Sequence, residues 1–142
     1  MRLTSVPELP PMTDTPDVLL VSPTADIAAG MRARLTDAGM RVTLVETFAA
    51  AREQLQSMPD LLISEVRLGP YNGLHLAMRA KASAIPAIIL GNTDPVTERE
   101  TQKLGATYVR TDGDLQDLTA ALTAAGIRVP SPGNGRSTIH AA

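Results

Sequence analysis

The chain of 142 residues has no cysteine and no tryptophan, and its aromatic residues are one phenylalanine and two tyrosines. The lack of cysteine excludes disulfides, thiolate metal sites and cysteine nucleophiles, and it is compatible with a reducing compartment. The scarcity of aromatic rings leaves few surfaces on which a flavin could stack. We therefore expect a protein without a bound cofactor.

The sequence also has no long run of like charges and no long apolar run. The formal net charge is -2, and basic and acidic residues are interspersed, so we expect neither nucleic acid nor an anionic membrane as a partner. No apolar run approaches the roughly 18 to 20 residues that span a bilayer. The first residues carry Glu8, Asp14 and several prolines instead of the apolar core of a signal peptide, so we expect a cytoplasmic protein.

Common catalytic and phosphate-binding motifs do not occur. Neither GxGxxG nor GxxxxGK[ST] is present. The two histidines, His75 and His140, have no cluster of further ligands near them, so we predict no metal site and no catalytic triad, and a surface position for His75. These observations favour a protein that is not an enzyme.

Changes in composition mark the edges of one folded domain. Residues 1–16 contain Pro7, Pro10, Pro11 and Pro16, which remove N–H donors and indicate a flexible, extended arm. Residues 127–142 have few apolar side chains to offset the entropy of ordering, so we predict a disordered tail. Residues 17–126 then form the domain, and a hydrophobic content of 44% is sufficient for a single core.

Within that domain, short apolar runs alternate with segments of helical period. The first run, Val18–Val21, is continuous, as expected for a parallel strand covered on both faces. The predicted strands are Val18–Val21, Arg41–Val45, Leu61–Val66, Ala87–Leu90 and Tyr108–Arg110. Five such units predict a flavodoxin-like, doubly wound α/β fold: a five-stranded parallel sheet of order 2-1-3-4-5 with five helices.

The helices between these strands have their own start signals and apolar faces. Thr24 and Thr47 are predicted to cap the first and second helices, and Asp94-Pro95 to begin the fourth. The predicted buried faces are Ile27, Met31 and Leu35 in the first helix, Phe48, Ala51 and Leu55 in the second, Leu74, Ala77 and Met78 in the third, and Leu115, Leu118 and Leu122 in the fifth.

The segment Asp60–Leu68, followed by Gly69-Pro70-Tyr71-Asn72-Gly73, resembles the phosphoacceptor strand and loop of two-component receiver domains. Glu65 stands where that family has its reactive aspartate, and Gly73 matches the loop glycine. The resemblance extends from Asp17 to about Ala125 and includes Pro86 before the fourth strand and Gly105 before the fifth. It implies a receiver-like domain with an altered reactive residue.

The resemblance also locates the other positions of receiver chemistry, and each has changed. The acidic pair that helps to hold Mg²⁺ is replaced by Ser22 and Pro23, and a proline side chain has no ligand to offer. The strand-four hydroxyl residue is replaced by Gly91, and the strand-five lysine by Thr111. The degenerate pocket is thus expected to comprise Ser22, Pro23, Glu65, Arg67, Gly91, Asn92 and Thr111, and to lack the cation that phosphoryl transfer requires.

Three interpretations of Glu65 remain open at this point. It is a nucleophile, or a built-in negative charge resembling the phosphorylated state, or a polar residue at a solvated strand end that pairs with Arg67. A spacing of two residues on a strand permits such a pair.

Tyr108 matches the aromatic switch residue of the receiver family. Because Gly91 leaves space opposite it, we predict that the ring is held inward without phosphorylation. The alternative is an edge-strand aromatic that covers apolar area. Arg110 should project to the other side of its strand.

The function implied by the resemblance is that of a stand-alone receiver-like signalling module that acts by protein–protein interaction, independently of phosphorylation. Its expected surface is helix four, strand five and helix five, with Glu98, Arg99 and Lys103, for a signalling partner or for a second copy in a homodimer. One alternative is a conventional phosphorylated regulator that uses Glu65, Asn92 or Thr93. The other is a small flavodoxin-like ligand-binding domain or enzyme.

Overall fold

The computed structural model describes residues 15–111 and 117–127, which form seven strands and five helices within those ranges. In chain order the strands are β1 Asp17–Val21, β2 Arg41–Val45, β3 Leu61–Glu65, β4 Arg67–Leu68, β5 Tyr71–Asn72, β6 Ala87–Gly91 and β7 Thr107–Arg110. The helices are α1 Ala25–Asp37, α2 Phe48–Leu55, α3 Gly73–Ala82, α4 Pro95–Lys103 and α5 Asp117–Ala124.

The five longer strands form one parallel sheet in the order β2-β1-β3-β6-β7. This is the predicted 2-1-3-4-5 order, so the predicted fold class is confirmed. The order reverses between β1 and β3, and a doubly wound sheet opens a crevice there, beyond the carboxyl ends of its strands.

The core has two layers because the central strands are buried on both faces. Leu20 and Ile63 point into the layer that packs under α1 and α5. Leu19 and Leu62 point into the opposite layer, under α2 and α3. Each of these four side chains is at most 1% exposed, which explains why the apolar runs in the sequence are continuous.

Several helix predictions are confirmed, but the predicted buried position of Met78 is wrong. The Thr47 side chain accepts the Ala50 N–H, and Asp94 accepts from Val96 and Thr97 with Pro95 at the first helical position. Met78, however, is 52% exposed. The buried face of α3 instead consists of Gly73, Leu76, Ala77 and Ala80, because the helical period places Met78 to one side of that face.

The third strand ends one residue earlier than predicted and leads into a hairpin that the sequence prediction missed. β4 and β5 pair antiparallel, with Arg67 opposite Asn72. Gly69 makes the turn at a φ of +64°. The Gly69-Pro70 dipeptide, a common turn signal, was the available clue.

Ile127, placed in the tail by the sequence, packs against the core, and its N–H donates to the Leu122 carbonyl at 3.0 Å. Leu118 and Leu122 are buried as predicted. Leu115, most of the arm and the rest of the tail lie outside the described residues. Within the described ranges, no helix combines the length and apolar character needed to cross a membrane.

The ends of α3 and α4 use the same left-handed turn with different residues. Gly105 follows α4 at a φ of +78°, and a Cβ added there would meet nothing within 4 Å. Ala84 follows α3 at a φ of +61°, and Ile85 then donates back to the Ala80 carbonyl at 2.8 Å. Glycine adopts this conformation at no steric cost, whereas alanine does not.

We predict that Ala84→Gly stabilises the protein by about 0.5–1 kcal/mol, because relief of left-handed strain exceeds the added entropy of the unfolded chain. The reciprocal change, Gly105→Ala, should destabilise it by about 1 kcal/mol. Urea unfolding of both variants measures these differences. The two changes in stability should have opposite signs. If both substitutions stabilise the protein, or both destabilise it, the two turns are not equivalent.

Candidate functional site

A small cavity lies beyond the carboxyl ends of β1, β3, β6 and β7, at the crevice expected from the topology. Its volume is about 240 Å³. Most of the predicted pocket residues line it, together with residues from α1 and α4. The lining residues are Thr24, Ile27, Glu65, Val66, Arg67, Leu90, Gly91, Asn92, Asp94, Thr97, Tyr108 and Thr111.

Glu65, the last residue of β3, turns its carboxylate toward the loop between β1 and α1. One oxygen, Oε2, accepts a short hydrogen bond from the Ser22 hydroxyl and a second from the Thr24 N–H at 3.2 Å. The other oxygen, Oε1, accepts from the Thr24 hydroxyl at 2.9 Å. The residue is only 9% exposed, so the protein itself supplies most of the partners of this carboxylate.

The backbone fixes the donors of this arrangement. Ser22 directly follows β1, its N–H donates to the Val45 carbonyl at 3.0 Å, and the residue is 1% exposed. Thr24 is the N-cap residue of α1, but its side chain makes no capping hydrogen bond. The predicted capping role of the Thr24 side chain is therefore wrong, because its hydroxyl donates to Glu65 instead.

The interpretation of Glu65 as a solvated residue paired with Arg67 is also wrong. The Glu65 carboxylate faces Ser22 and Thr24, and no ion pair joins it to Arg67 within the described part of the chain. Arg67 is an exposed residue of the hairpin strand β4, beyond the end of β3. A register of two residues does not apply, because the main strand ends at Glu65.

Asp94 is the other acidic residue that lines the cavity, and its role is local. The Thr97 hydroxyl and backbone N–H lower the pKa of Asp94 below its ordinary value, with a smaller contribution from the Arg67 charge. A lowered carboxyl pKa means that the helix-capping contribution of Asp94 is lost only as the pH falls through that value.

The residues at this crevice do not fit the Mg²⁺ that receiver chemistry requires. Mg²⁺ needs several oxygen ligands in a near-octahedral arrangement. Here the β1–α1 loop presents hydrogen-bond donors from Ser22 and Thr24 to the one buried carboxylate, and Pro23 has no side-chain ligand. The loop thus presents hydrogen-bond donors where a cation site would present acidic ligands.

The opposite wall of the cavity is formed by Gly91 and Tyr108. A Cβ added to Gly91 would lie 2.2 Å from the Tyr108 Oη and 3.0 Å from its Cζ. The Tyr108 hydroxyl donates to the Asn92 carbonyl at 2.6 Å. The half-buried ring thus occupies the space that a side chain at position 91 would need.

Thr111 and Arg110 occupy the end of the last strand. The Thr111 N–H and hydroxyl both donate to the Gly91 carbonyl, at 2.8 and 3.3 Å. Arg110 lies on the other side of the strand, as predicted, where it pairs with Glu98 at 3.6 Å. Among the described residues that line the cavity, Arg67 is the only cationic side chain.

The candidate interface residues on α4 differ in whether they form ion pairs within the protein. Glu98 pairs with Arg110, and Lys103 pairs with Glu100 on the same helix at 3.5 Å. Arg99 is exposed and forms no ion pair with the rest of the described chain. Arg99 is thus the residue of this set whose charge remains available to a partner.

The sequence prediction identified Ser22 and Glu65 as site residues but missed Thr24. The available signal was the run Ser22-Pro23-Thr24, which places two hydroxyl groups directly after a buried strand. In a parallel sheet that position faces the end of the neighbouring strand, β3. Val66 and Thr97 were also missed, since they follow from the hairpin and from the cap of α4.

Comparisons with known proteins identify the fold through structure alone. No family model and no curated protein matches the sequence. A two-component response regulator from Clostridium difficile superposes with a TM-score of 0.71 at 18% identity, over 82% of this chain and 100% of that one. A response regulator receiver protein from Pseudomonas putida gives a TM-score of 0.67 at 24% identity, over 77% and 96%.

The chemotaxis response regulator CheY4 of Vibrio cholerae also matches, with a TM-score of 0.64 at 21% identity, over 78% of this chain and 98% of that one. The similarity covers nearly the whole of each of these structures, while this chain has additional residues. The chain therefore has the fold of response regulator receiver domains.

We predict that Glu65→Ala destabilises the protein by about 1–3 kcal/mol, because the buried Ser22 hydroxyl and the Thr24 donors lose their acceptor. Ser22→Ala in the Glu65→Ala background should then cost much less than Ser22→Ala alone, since the hydrogen bond is already absent. A urea-unfolding double-mutant cycle measures this. Glu53→Ala on the exposed face of α2 is the control, and strictly additive effects would contradict the hydrogen-bonded arrangement.

We predict that Gly91→Ala displaces the Tyr108 ring, because the new Cβ would overlap its hydroxyl. The measurement is the NMR spectrum of the ring, with Tyr71 as an internal reference. Tyr108→Phe, which removes only the hydroxyl, should leave the ring in place. In that background Gly91→Ala should destabilise the protein less. Unchanged Tyr108 ring signals in Gly91→Ala would show that the ring does not pack over this glycine.

Proposed function

We propose that this protein is a receiver-like signalling module that works by binding a protein partner, without phosphorylation of its own. The fold of response regulator receiver domains supports the general role. The single observation that carries the finer proposal is the Glu65 carboxylate, whose oxygens are bound by Ser22 and Thr24.

A phosphoryl acceptor needs a carboxylate oxygen in line with the transferred group and cations that neutralise its equatorial oxygens. Glu65 points both oxygens at donors within the protein and is largely shielded from solvent. Thr111 supplies no cation at the position of the family's lysine, and Gly91 supplies no hydroxyl at the position of the family's serine or threonine. The altered positions thus act together against phosphoryl transfer.

The same arrangement supports a fixed conformation in place of a switch. Ser22 and Thr24 hold the β1–α1 loop to β3 through a negative carboxylate, and Tyr108 is held over Gly91 by its hydrogen bond to Asn92. Glu65 therefore orders the crevice by holding this loop against β3. Because the Tyr108 ring is held inward, we expect α4 and β7 to present a single surface to partners.

That surface is polar and suits a protein partner. α4 exposes Val96 and Arg99, and the Glu98–Arg110 pair joins the helix to β7. The crevice is less suited to a small molecule, because its volume of about 240 Å³ is below the roughly 300 Å³ at which typical ligand pockets begin. We therefore place the signalling surface on α4 and β7.

The test of phosphorylation independence is an amide NMR titration with Mg²⁺ and then with beryllofluoride, a mimic of a carboxylate-bound phosphoryl group. We expect no shifts at Ser22, Glu65, Gly91 or Thr111. The matched variant Ser22→Asp/Pro23→Asp/Glu65→Asp/Thr111→Lys restores the family residues at four of the five altered positions and should respond. Shifts in the natural protein at those four positions would refute the proposal.

The partner surface is tested by charge reversal. We expect Arg99→Glu to weaken capture of the physiological partner, because this exposed guanidinium is not engaged within the described chain. Arg79→Glu, an exposed arginine on α3, is the matched control. Affinity capture from native cells with both variants gives the comparison, and equal capture would move the interface away from α4.

A further inference from the structure

The two edges of the parallel sheet differ in how far the helices cover them. β7 has α4 on one face and α5 on the other, and its Arg110 side chain pairs with Glu98 of α4. β2 has α1 on one face, whereas on the other face α2 packs over β1. Arg41 and Thr43 of β2 are exposed there. β2 is therefore the more open of the two edges.

Hydrogen bonds at both ends of β2 show which way its backbone groups point. The Arg41 N–H donates to the Pro16 carbonyl at 2.9 Å, and the Val45 carbonyl accepts from the Ser22 N–H at 3.0 Å. Along a strand, alternate residues direct their backbone groups to opposite sides. The odd-numbered residues of β2 thus face β1, and the even-numbered residues face away from it.

Val42 and Leu44 consequently present their N–H and carbonyl groups at the outer side of β2. Within the described residues, β2 pairs with β1 alone. Natural edge strands are commonly protected by prolines, bulges or inward charges. β2 has no proline, its register with β1 is continuous, and its one charge, on Arg41, is at its first residue. The outer side of β2 is thus suited to pairing with another strand.

The sequence of β2 is complementary to a second copy of itself. When two such strands run antiparallel with Thr43 at the centre, each Val42 lies opposite the Leu44 of the second copy. These side chains are half-buried on the α1 face, and apolar cross-strand pairs stabilise a sheet. On the other face each Thr43 meets the Thr43 of the second copy, which is a further favourable pair.

The neighbouring registers are less favourable. A shift toward the end of β2 places Val42 opposite the charged Glu46. A shift toward its start requires Met40, whose N–H already donates to the Leu35 carbonyl at 3.0 Å. Pairing centred on Thr43 avoids both conflicts, and the side-chain pattern therefore selects that register.

The helix over this edge leaves space for a second copy. The α1 side chains beside Leu44 include Ala25, Ala29 and Ala33, which recur every four residues along one flank of the helix. The distance between two packed helices depends on the side chains at their contact, and small ones permit a close approach. The α1 helices of two copies can thus lie side by side while their β2 strands pair.

We propose that two copies of this chain associate through β2, antiparallel and centred on Thr43, so that their two sheets become one continuous sheet. Backbone hydrogen bonds join Val42 of each copy to Leu44 of the other. The interface is small, so the dimer forms in a concentration-dependent way. It uses the edge opposite to α4 and β7, and it does not rest on the proposed function.

The register is tested by cross-linking, because the chain contains no natural cysteine. At a non-hydrogen-bonded antiparallel pair the Cα atoms are about 4.5 Å apart, a distance that a disulfide can span. We expect Thr43→Cys to form a disulfide-linked dimer under a mild oxidant. Arg41→Cys, also exposed on β2, is the matched control: in this register its two copies are about 13 Å apart, and the thiols should stay free.

The surface is tested by sedimentation of the full chain at concentrations up to about 1 mM, where weak specific dimers form. Thr43→Lys places like charges opposite each other, and Val42→Pro removes an outward N–H without touching the bonds to β1. Each should weaken the dimer by about tenfold or more. Val42→Ala keeps the N–H and should weaken it less, and Arg99→Glu on α4 should leave it unchanged.

Three results would overturn the proposal. The first is a protein that stays monomeric at every concentration. The second is equal cross-linking of Thr43→Cys and Arg41→Cys. The third is a dimer that Arg99→Glu disrupts and Thr43→Lys preserves, which would place the contact between copies on α4 instead of β2.

Discussion

The hydrogen bonds of the Glu65 carboxylate are the interaction on which the rest of the crevice depends. A buried carboxylate is unfavourable unless donors or cations accompany it. In this chain the donors are Ser22 and Thr24, and they come from a loop where a cation site would need acidic residues. One substitution alone would leave either unmatched donors or an unmatched charge. Ser22, Thr24 and Glu65 therefore satisfy one another's hydrogen-bonding groups without a metal ion.

The longer side chain of glutamate matters in this context. Compared with aspartate, its additional methylene extends the carboxylate from the end of β3. The carboxylate can then reach the loop that follows β1, the strand next to β3 in the sheet. The same hydrogen bonds join the start of α1 to the centre of the sheet. Tyr108 plays the corresponding part on the other side, where it links the end of β6 to β7 through Asn92. Contacts within the protein thus border the crevice on both sides.

The fold was predictable from the sequence to a greater extent than the site. Continuous runs such as Val18–Val21 and the Asp94-Pro95 start are local signals, and the physical causes of strand burial and helix capping act at those residues. The partners of Glu65 are 41 and 43 residues away in the chain, so no local pattern shows them. The hypothesis of a Glu65–Arg67 pair failed for this reason: neighbours in sequence were preferred to neighbours across the sheet. Met78 shows a similar limit, because a helical stripe can shift by one position when its neighbours are small.

We propose that Glu65, held by internal donors, does not accept a phosphoryl group. The most direct test is the intact mass of the protein after incubation with Mg²⁺ and a small phosphoryl donor such as phosphoramidate. We expect an unchanged mass for a folded sample. A gain of one phosphoryl group that maps to Glu65 would contradict it and would show that the receiver chemistry survives with a glutamate.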